Sequence, residues 1–204
     1  MKIEFTKGHG TGNDFILVLD KAGQIDLSAD QVAAMCDRHF GIGADGLIIV
    51  KPTAKDSEVA ELLEDEPEAI WFMDYRNSDG SRAEMCGNGI RVFARYLLEN
   101  GLATLTDGST LPVATRNGIK DLTATVNGFA VDLGLFSIGD DQTLVSALGL
   151  QVSRPGLAVN VGNPHVVVAL ADLEELQGLE LSKAPVLEPL PDDGANVEFV
   201  VLDE

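Results

Sequence analysis

Cysteine is nearly absent from the sequence, with only Cys36 and Cys86 in 204 residues. With no export signal read in the sequence, free thiols are expected in preference to a disulfide. Apolar runs of membrane-spanning length are missing too, and Met1-Lys2-Ile3-Glu4-Phe5 leads directly into strand-like sequence. A soluble, cytoplasmic protein is the expectation. Basic residues are scarce, with 14 Lys and Arg against 33 Asp and Glu and a net charge of −19. Such a chain has no basic face for phosphate groups, which excludes nucleic acid and anionic membrane as partners. The spacing of Asp, Glu, His and Cys suggests no metal site. Neither a phosphate cup nor a reactive lysine for pyridoxal phosphate can be picked out, and no cofactor is expected.

Apolar residues make up 45% of the chain, enough for a real core in one large domain or two small ones. Ile3 and Phe5, then Phe15-Ile16-Leu17-Val18-Leu19, read as two strands around a polar turn from Gly8 to Asp14. Ser28 can cap a helix from about Ala29 to His39, with Val32, Met35, Cys36 and Phe40 on its apolar face. Gly41-Ile42-Gly43-Ala44-Asp45-Gly46 has the spacing of a dinucleotide fingerprint but lies between a helix and a strand. That order is the reverse of what phosphate binding needs, so a Rossmann site is rejected. The acidic stretch from Asp56 to Glu68 reads as a solvated surface insertion.

Ile70-Trp71-Phe72-Met73 reads as a buried strand followed by a polar loop from Asp74 to Glu84. Ile90, Phe93, Ala94, Leu97 and Leu98 then trace one face of a helix ending at Asn100-Gly101. Beyond Leu111 short alternating strands are punctuated by Asn117-Gly118 and Asn127-Gly128, both hairpin signals. A boundary near there divides the chain into 1–127 and 128–204. Gly12-Asn13-Asp14-Phe15 is echoed by Gly162-Asn163-Pro164-His165 at an offset of 150, the mark of a duplicated unit if it is not chance.

Cys86 stands just before a helix. A thiol acts as a base only as thiolate, and a free one, with a pKa of about 8.5, is mostly protonated at neutral pH. The unpaired N–H groups and dipole of a helix beginning near Gly87 favour the anion. Inverting a stereocentre without a cofactor needs acid/base groups on both faces of the carbon, and one thiol supplies half of that. On local features alone Cys86 reads more readily as an inert, partly buried residue than as a base, and His165 by default as a packing residue.

The ordered set Phe5-Thr6-Lys7 to Gly12-Asn13-Asp14-Phe15, Gly41 to Gly46, Asn77 to Asp79-Gly80, Met85-Cys86-Gly87-Asn88-Gly89-Ile90-Arg91, Val131 to Gly134, Gly162 to His165 and Asn196-Val197-Glu198-Phe199 resembles the diaminopimelate epimerase family. The resemblance implies a mixed α/β (α+β) fold of two similar domains. Each would be a curved, mostly antiparallel sheet around a central helix, with the active site in the cleft between them. It implies interconversion of LL- and meso-2,6-diaminopimelate by a thiol and a thiolate on opposite faces, upstream of lysine and peptidoglycan, in an enzyme that can form a homodimer. Carried over by position, Cys86 is one acid/base, and the backbone of Gly87 and Asn88 binds the substrate carboxylate. Asn13, Asn77, Asn163 and Asn196 contact the substrate, and His165 supports the thiols. Gly46 stands where some members carry a substrate-reaching glutamine.

The family's second thiol segment is expected after Asn196-Val197-Glu198-Phe199 and is not in this sequence. The chain is therefore read as C-terminally incomplete, with a partial second domain. A proline racemase-like enzyme and a noncatalytic binding protein are the alternative readings.

Overall fold

The computed structural model describes residues 2–106, 108–191 and 194–202, apart from the side chains of 140–142. The chain forms two compact units, Met1–Leu133 and Gly134–Glu204. The first is built on a seven-stranded sheet in sequence order: β1 (Thr6–Gly10), β2 (Asn13–Leu19), β3 (Gly46–Pro52), β4 (Trp71–Asn77), β5 (Thr110–Thr115), β6 (Gly118–Thr125) and β7 (Gly128–Val131). Pairing is antiparallel except at β2/β3 and β4/β5, which are parallel.

β2 and β3 carry near-continuous apolar runs because both of their faces are covered. Phe15, Leu17, Ile48 and Val50 point to one side, where Ile90, Phe93, Ala94 and Leu97 of helix α3 (Gly87–Glu99) fill the core with Met73, Val113 and Leu122. Ile16, Val18, Leu47 and Ile49 point to the other, against Val32 and Cys36 of helix α1 (Ala29–Cys36). The period of two along the strands and of 3.6 along the helices thus meet in two layers of core. Burial contributes about 1.5–3 kcal/mol for each of Ile90, Phe93 and Leu97.

Several boundaries differ from the sequence reading. The turn between the first strands is confined to Thr11 and Gly12, both with positive φ (52° and 89°), as a tight hairpin demands. α1 ends at Cys36 rather than His39: the Asp37 carboxylate accepts the N–H groups of His39 and Phe40, turning the chain away and leaving Phe40 in solvent. β4 runs on to Asn77, so Asp74 lies within a strand and not in a loop. The Asn127-Gly128 turn is a hairpin inside the first sheet, and the division of the units falls at 133/134 rather than 127/128.

The acidic stretch is solvated at Glu61, Glu64, Asp65 and Glu68, as expected, but it is anchored to the first unit at its start. Val59 is buried against Phe72, Ala114 and Leu62 of helix α2 (Leu62–Asp65). Lys51 pairs with Asp56 (2.8 Å) and Asp74 (3.0 Å). Asp74, fully buried, also accepts from Arg76 (2.7 and 3.0 Å) and Arg116 (2.5 Å), while Arg116 holds Glu58 at 2.8 Å. Lys51 and Arg116 lie over the Phe72 ring, 5.6 and 5.3 Å from its centre.

The second unit carries a five-stranded sheet in the order β11 (Val186–Glu188), β8 (Ser137–Ser146), β9 (Arg154–Asn160), β10 (Pro164–Leu170), β12 (Asn196–Val201), with helix α4 (Leu173–Gln177). Val145, Val166, Val168, Leu170 and Leu187 form its core. Its β9–β10 hairpin followed by parallel β12 repeats the β1–β2 hairpin followed by parallel β3. The register repeats as well: Phe15 pairs with Gly46 and His165 with Asn196, both partners displaced by 150. The short sequence echo therefore marks equivalent places in two similar sheets. Among the described residues no helix is long and apolar enough to cross a membrane.

Burial works against ionisation of Asp74, yet Arg76, Arg116 and Lys51 hold its carboxyl far below the usual range. Because the folded value lies below the unfolded one of about 3.9, its stabilisation is present above that pH and is lost as the pH falls through the carboxylate range. Asp74→Ala, which leaves the buried Arg76 unpaired and Lys51 and Arg116 with only Asp56 and Glu58, is expected to cost about 3–5 kcal/mol in urea unfolding at pH 7. The variant should lose less stability than the parent between pH 6 and pH 3.

Candidate active site

Three candidate residues of the first unit gather at one end of β2, β3 and β4. Asn13 opens β2, and Asn77 closes β4 opposite Gly46, the first residue of β3. Cys86 is the N-cap of α3, in extended backbone (φ −143°, ψ 116°). Its Sγ accepts the N–H of Gly89 at 3.3 Å and donates to Asn13 Oδ1 at 3.7 Å. Thr11 donates to Asn88 Oδ1 at 2.9 Å, and Arg91 binds the same oxygen, tying the hairpin tip to the start of α3. Asn77 is held in its own loop, its Nδ2 donating to Ser81 Oγ at 3.0 Å.

Behind Asn13 stands a charged cluster that sequence reasoning did not single out. Asp45 Oδ2 accepts Asn13 Nδ2 at 2.8 Å and the Asp14 N–H at 3.1 Å. Arg38 bridges Asp14 and Asp45, at 2.7 Å to each, and Lys7 holds Asp14 at 2.7 Å. The bond from the Arg38 guanidinium, then that from Lys7, keeps the Asp14 carboxyl far below its usual range. The signal lay in the Gly41–Gly46 stretch, dismissed as a nucleotide motif before its aspartate was considered.

Helix N–H groups had suggested an activated thiolate at Cys86. In the structure burial is the larger effect and pushes the thiol up, against the N–H groups of Gly89 and Asn88 and the charge of Arg91. The resting form is the thiol. Cys36, deep in the α1 layer, is likewise pushed up by burial.

On the second unit, Asn163, His165 and Asn196 come together. His165 pairs with Asn196 across β10/β12, and its Nε2 lies 3.3 Å from Asn163 Oδ1. Asn196 Nδ2 reaches the Pro164 carbonyl at 3.5 Å. Among the described residues no group of three or more His, Cys, Asp or Glu is placed to hold a metal ion.

The family model described as diaminopimelate epimerase matches residues 5–138. A diaminopimelate epimerase of Streptomyces coelicolor is 44% identical over 205 residues, covering 98% of this chain and 67% of its own. That of Thermobifida fusca is 42% identical, covering 96% of this chain and 70% of its own. The chain belongs to the diaminopimelate epimerase family. Solved structures share the fold: a probable proline racemase from Agrobacterium radiobacter (13% identical, TM-score 0.57, 90% of this chain, 55% of that one) and an enzyme described as a predicted epimerase from Pseudomonas aeruginosa (16%, 0.56, 95% and 65%). The chain spans less than two thirds of the length of these two structures.

In this member of the diaminopimelate epimerase family, position 46 has no room for a side chain. A Cβ there would lie 2.6 Å from Tyr75 Cε2 and 2.7 Å from the Arg76 carbonyl oxygen. Tyr75, packed edge-on to Phe15, fills the space beside the start of β3.

Native-state alkylation with iodoacetamide, mapped by mass spectrometry, is expected to modify Cys86 and spare Cys36. Since burial raises the thiol, the Cys86 rate should still be climbing above pH 8.5, the ordinary free-cysteine value of about 8.5 being passed before half its maximum.

Proposed function

We propose that Cys86 is one member of a two-thiol acid/base pair with which the protein acts on 2,6-diaminopimelate, interconverting the LL and meso forms without a cofactor, in the supply of lysine and peptidoglycan precursors. The observation that carries the reading is Cys86 itself: a half-buried thiol at the head of a 13-residue helix, between a backbone donor and the Asn13 amide. Substrate carboxylate binds at the Gly87 and Asn88 backbone, where helix N–H groups and dipole favour an anion. Asn13 and Asn77 on the first unit, and Asn163 and Asn196 on the second, supply further polar contacts, and His165 is a supporting group beside Asn163.

In the chemical step a second thiolate, the class of base used in this two-thiol mechanism, removes the α-proton and leaves the electron pair on the carbon. The Cys86 S–H bond breaks as its proton is delivered to the opposite face, leaving a thiolate. That anion falls under the N–H groups of Gly89 and Asn88 and beside Arg91, which offset part of the cost of a buried charge. Reversal of the two roles carries the reaction the other way.

A form of the protein that carries both thiols, incubated with LL-diaminopimelate in deuterated water, is expected to bind it and to place deuterium at the α-carbon, read by proton NMR. Cys86→Ala should reduce exchange by at least about 10²-fold, the lower range for loss of a positioned acid/base. Normal exchange by the variant would sink the assignment. Preference for proline or 4-hydroxyproline in a competition titration would instead favour a racemase of that substrate class.

A further inference from the structure

Asn13 could offer Cys86 either end of its amide, and the choice has opposite consequences for the thiol. Turned one way, an NH2 group would donate to sulfur and favour thiolate; turned the other, a carbonyl oxygen accepts the S–H bond and disfavours thiolate. An ionised carboxylate can only accept, so the amide edge facing Asp45 must be the NH2. That fixes Oδ1 toward Sγ, as found, with 2.8 Å from Asn13 Nδ2 to Asp45 Oδ2 and 3.7 Å from Cys86 Sγ to Asn13 Oδ1.

We propose that Asp45 is a positioning residue for the Cys86 thiol: by gripping the Asn13 amide it keeps the carbonyl on sulfur and so holds Cys86 in the proton-delivering form. The proposal rests on the reading of Cys86 as an acid/base group. Asp45 is itself well fixed, its Oδ1 bound to Arg38 at 2.7 Å and its Oδ2 to the Asp14 N–H at 3.1 Å. Burial opposes its ionisation, but Asn13, Asp14 and Arg38 outweigh that and keep the carboxylate charged. The titratable and charged groups around the pair are Arg91 on α3, Lys7 and Asp14 on the β1–β2 hairpin, Arg38 after α1, and Tyr75 on β4. Among the described residues, the Asn13 side chain is bonded to Asp45 and to Cys86 and to none of these five.

The test follows the rate of Cys86 alkylation against pH, with Cys36 as the internal marker of an intact fold. In Asp45→Asn the new amide can donate as well as accept, Asn13 is free to turn, and the Cys86 profile should move to lower pH. A shift of half to one pKa unit raises the rate about three- to tenfold at pH 7.5. Asn13→Ala, which removes the acceptor, should also raise it, and adding Asp45→Asn to Asn13→Ala should change it less than about twofold, because the route from Asp45 to sulfur is gone. An equal rise from Asp45→Asn with and without Asn13 would show a through-space charge effect and overturn the proposal. So would an unchanged profile in Asp45→Asn. If Asp45→Asn exposes Cys36, Asn13→Ala decides alone: no rise in the Cys86 rate refutes the proposal. Alkylation needs no substrate, so failure to exchange α-protons counts against the epimerase reading only.

Discussion

The parallel pairing of β2 with β3 is the constraint from which the first unit follows. Parallel neighbours need a crossover, and here it carries α1 over the outer face of the sheet before returning at Asp45. Both faces of the pair are then buried, one beneath α1 and one beneath α3. The register, Phe15 opposite Gly46, sets Asp45 beside Asp14, whose carbonyl accepts the Asp45 N–H at 3.0 Å. A slip of one residue would turn each apolar run inside out and part Asp45 from Asn13. Core and site are specified by the same ladder.

Two carboxylates brought that close repel each other, and a chain with a charge of −19 has few cations to spare. Arg38 and Lys7 are placed where they neutralise this pair, and Lys51, Arg76 and Arg116 converge on Asp74. At both places the cations serve particular buried or half-buried carboxylates, while most of the acidity stays in solvent. Arg38, at the end of α1, belongs to the crossover that the strand pairing requires, so the charge balance at the site depends on the fold as much as on composition.

Much of this was legible in the sequence. The apolar run from Phe15 to Leu19 fell in a strand, the Asn-Gly pairs fell at real hairpins, and the spacing from Ile90 to Leu97 located the helix that Cys86 caps. The echo at offset 150 proved to be structural, down to the register of the paired strands. What escaped were features decided by side chains far apart in sequence. Phe40 continued the helical pattern until the Asp37 carboxylate took the next N–H groups. The anchoring of the stretch from Asp56 to Glu68 escaped because the cations meeting Asp56 and Glu58, namely Lys51, Arg82 and Arg116, are distributed over 66 positions of chain. Asp45 was hidden inside a glycine pattern with another meaning elsewhere.

Helix N–H groups and burial compete at Cys86, and burial is the larger of the two. One N–H at 3.3 Å is a modest stabiliser, while a half-buried anion facing a carbonyl oxygen loses water and meets like partial charge. The thiol form therefore prevails at rest, and thiolate is reached only when its proton has somewhere favourable to go. Inversion by two groups needs them to differ in protonation at any moment, one empty and one loaded. The two similar sheets differ here: at the offset relating Gly46 to Asn196, the position of Asp45 is taken by Ala195, which offers no carboxylate to the amide of Asn163.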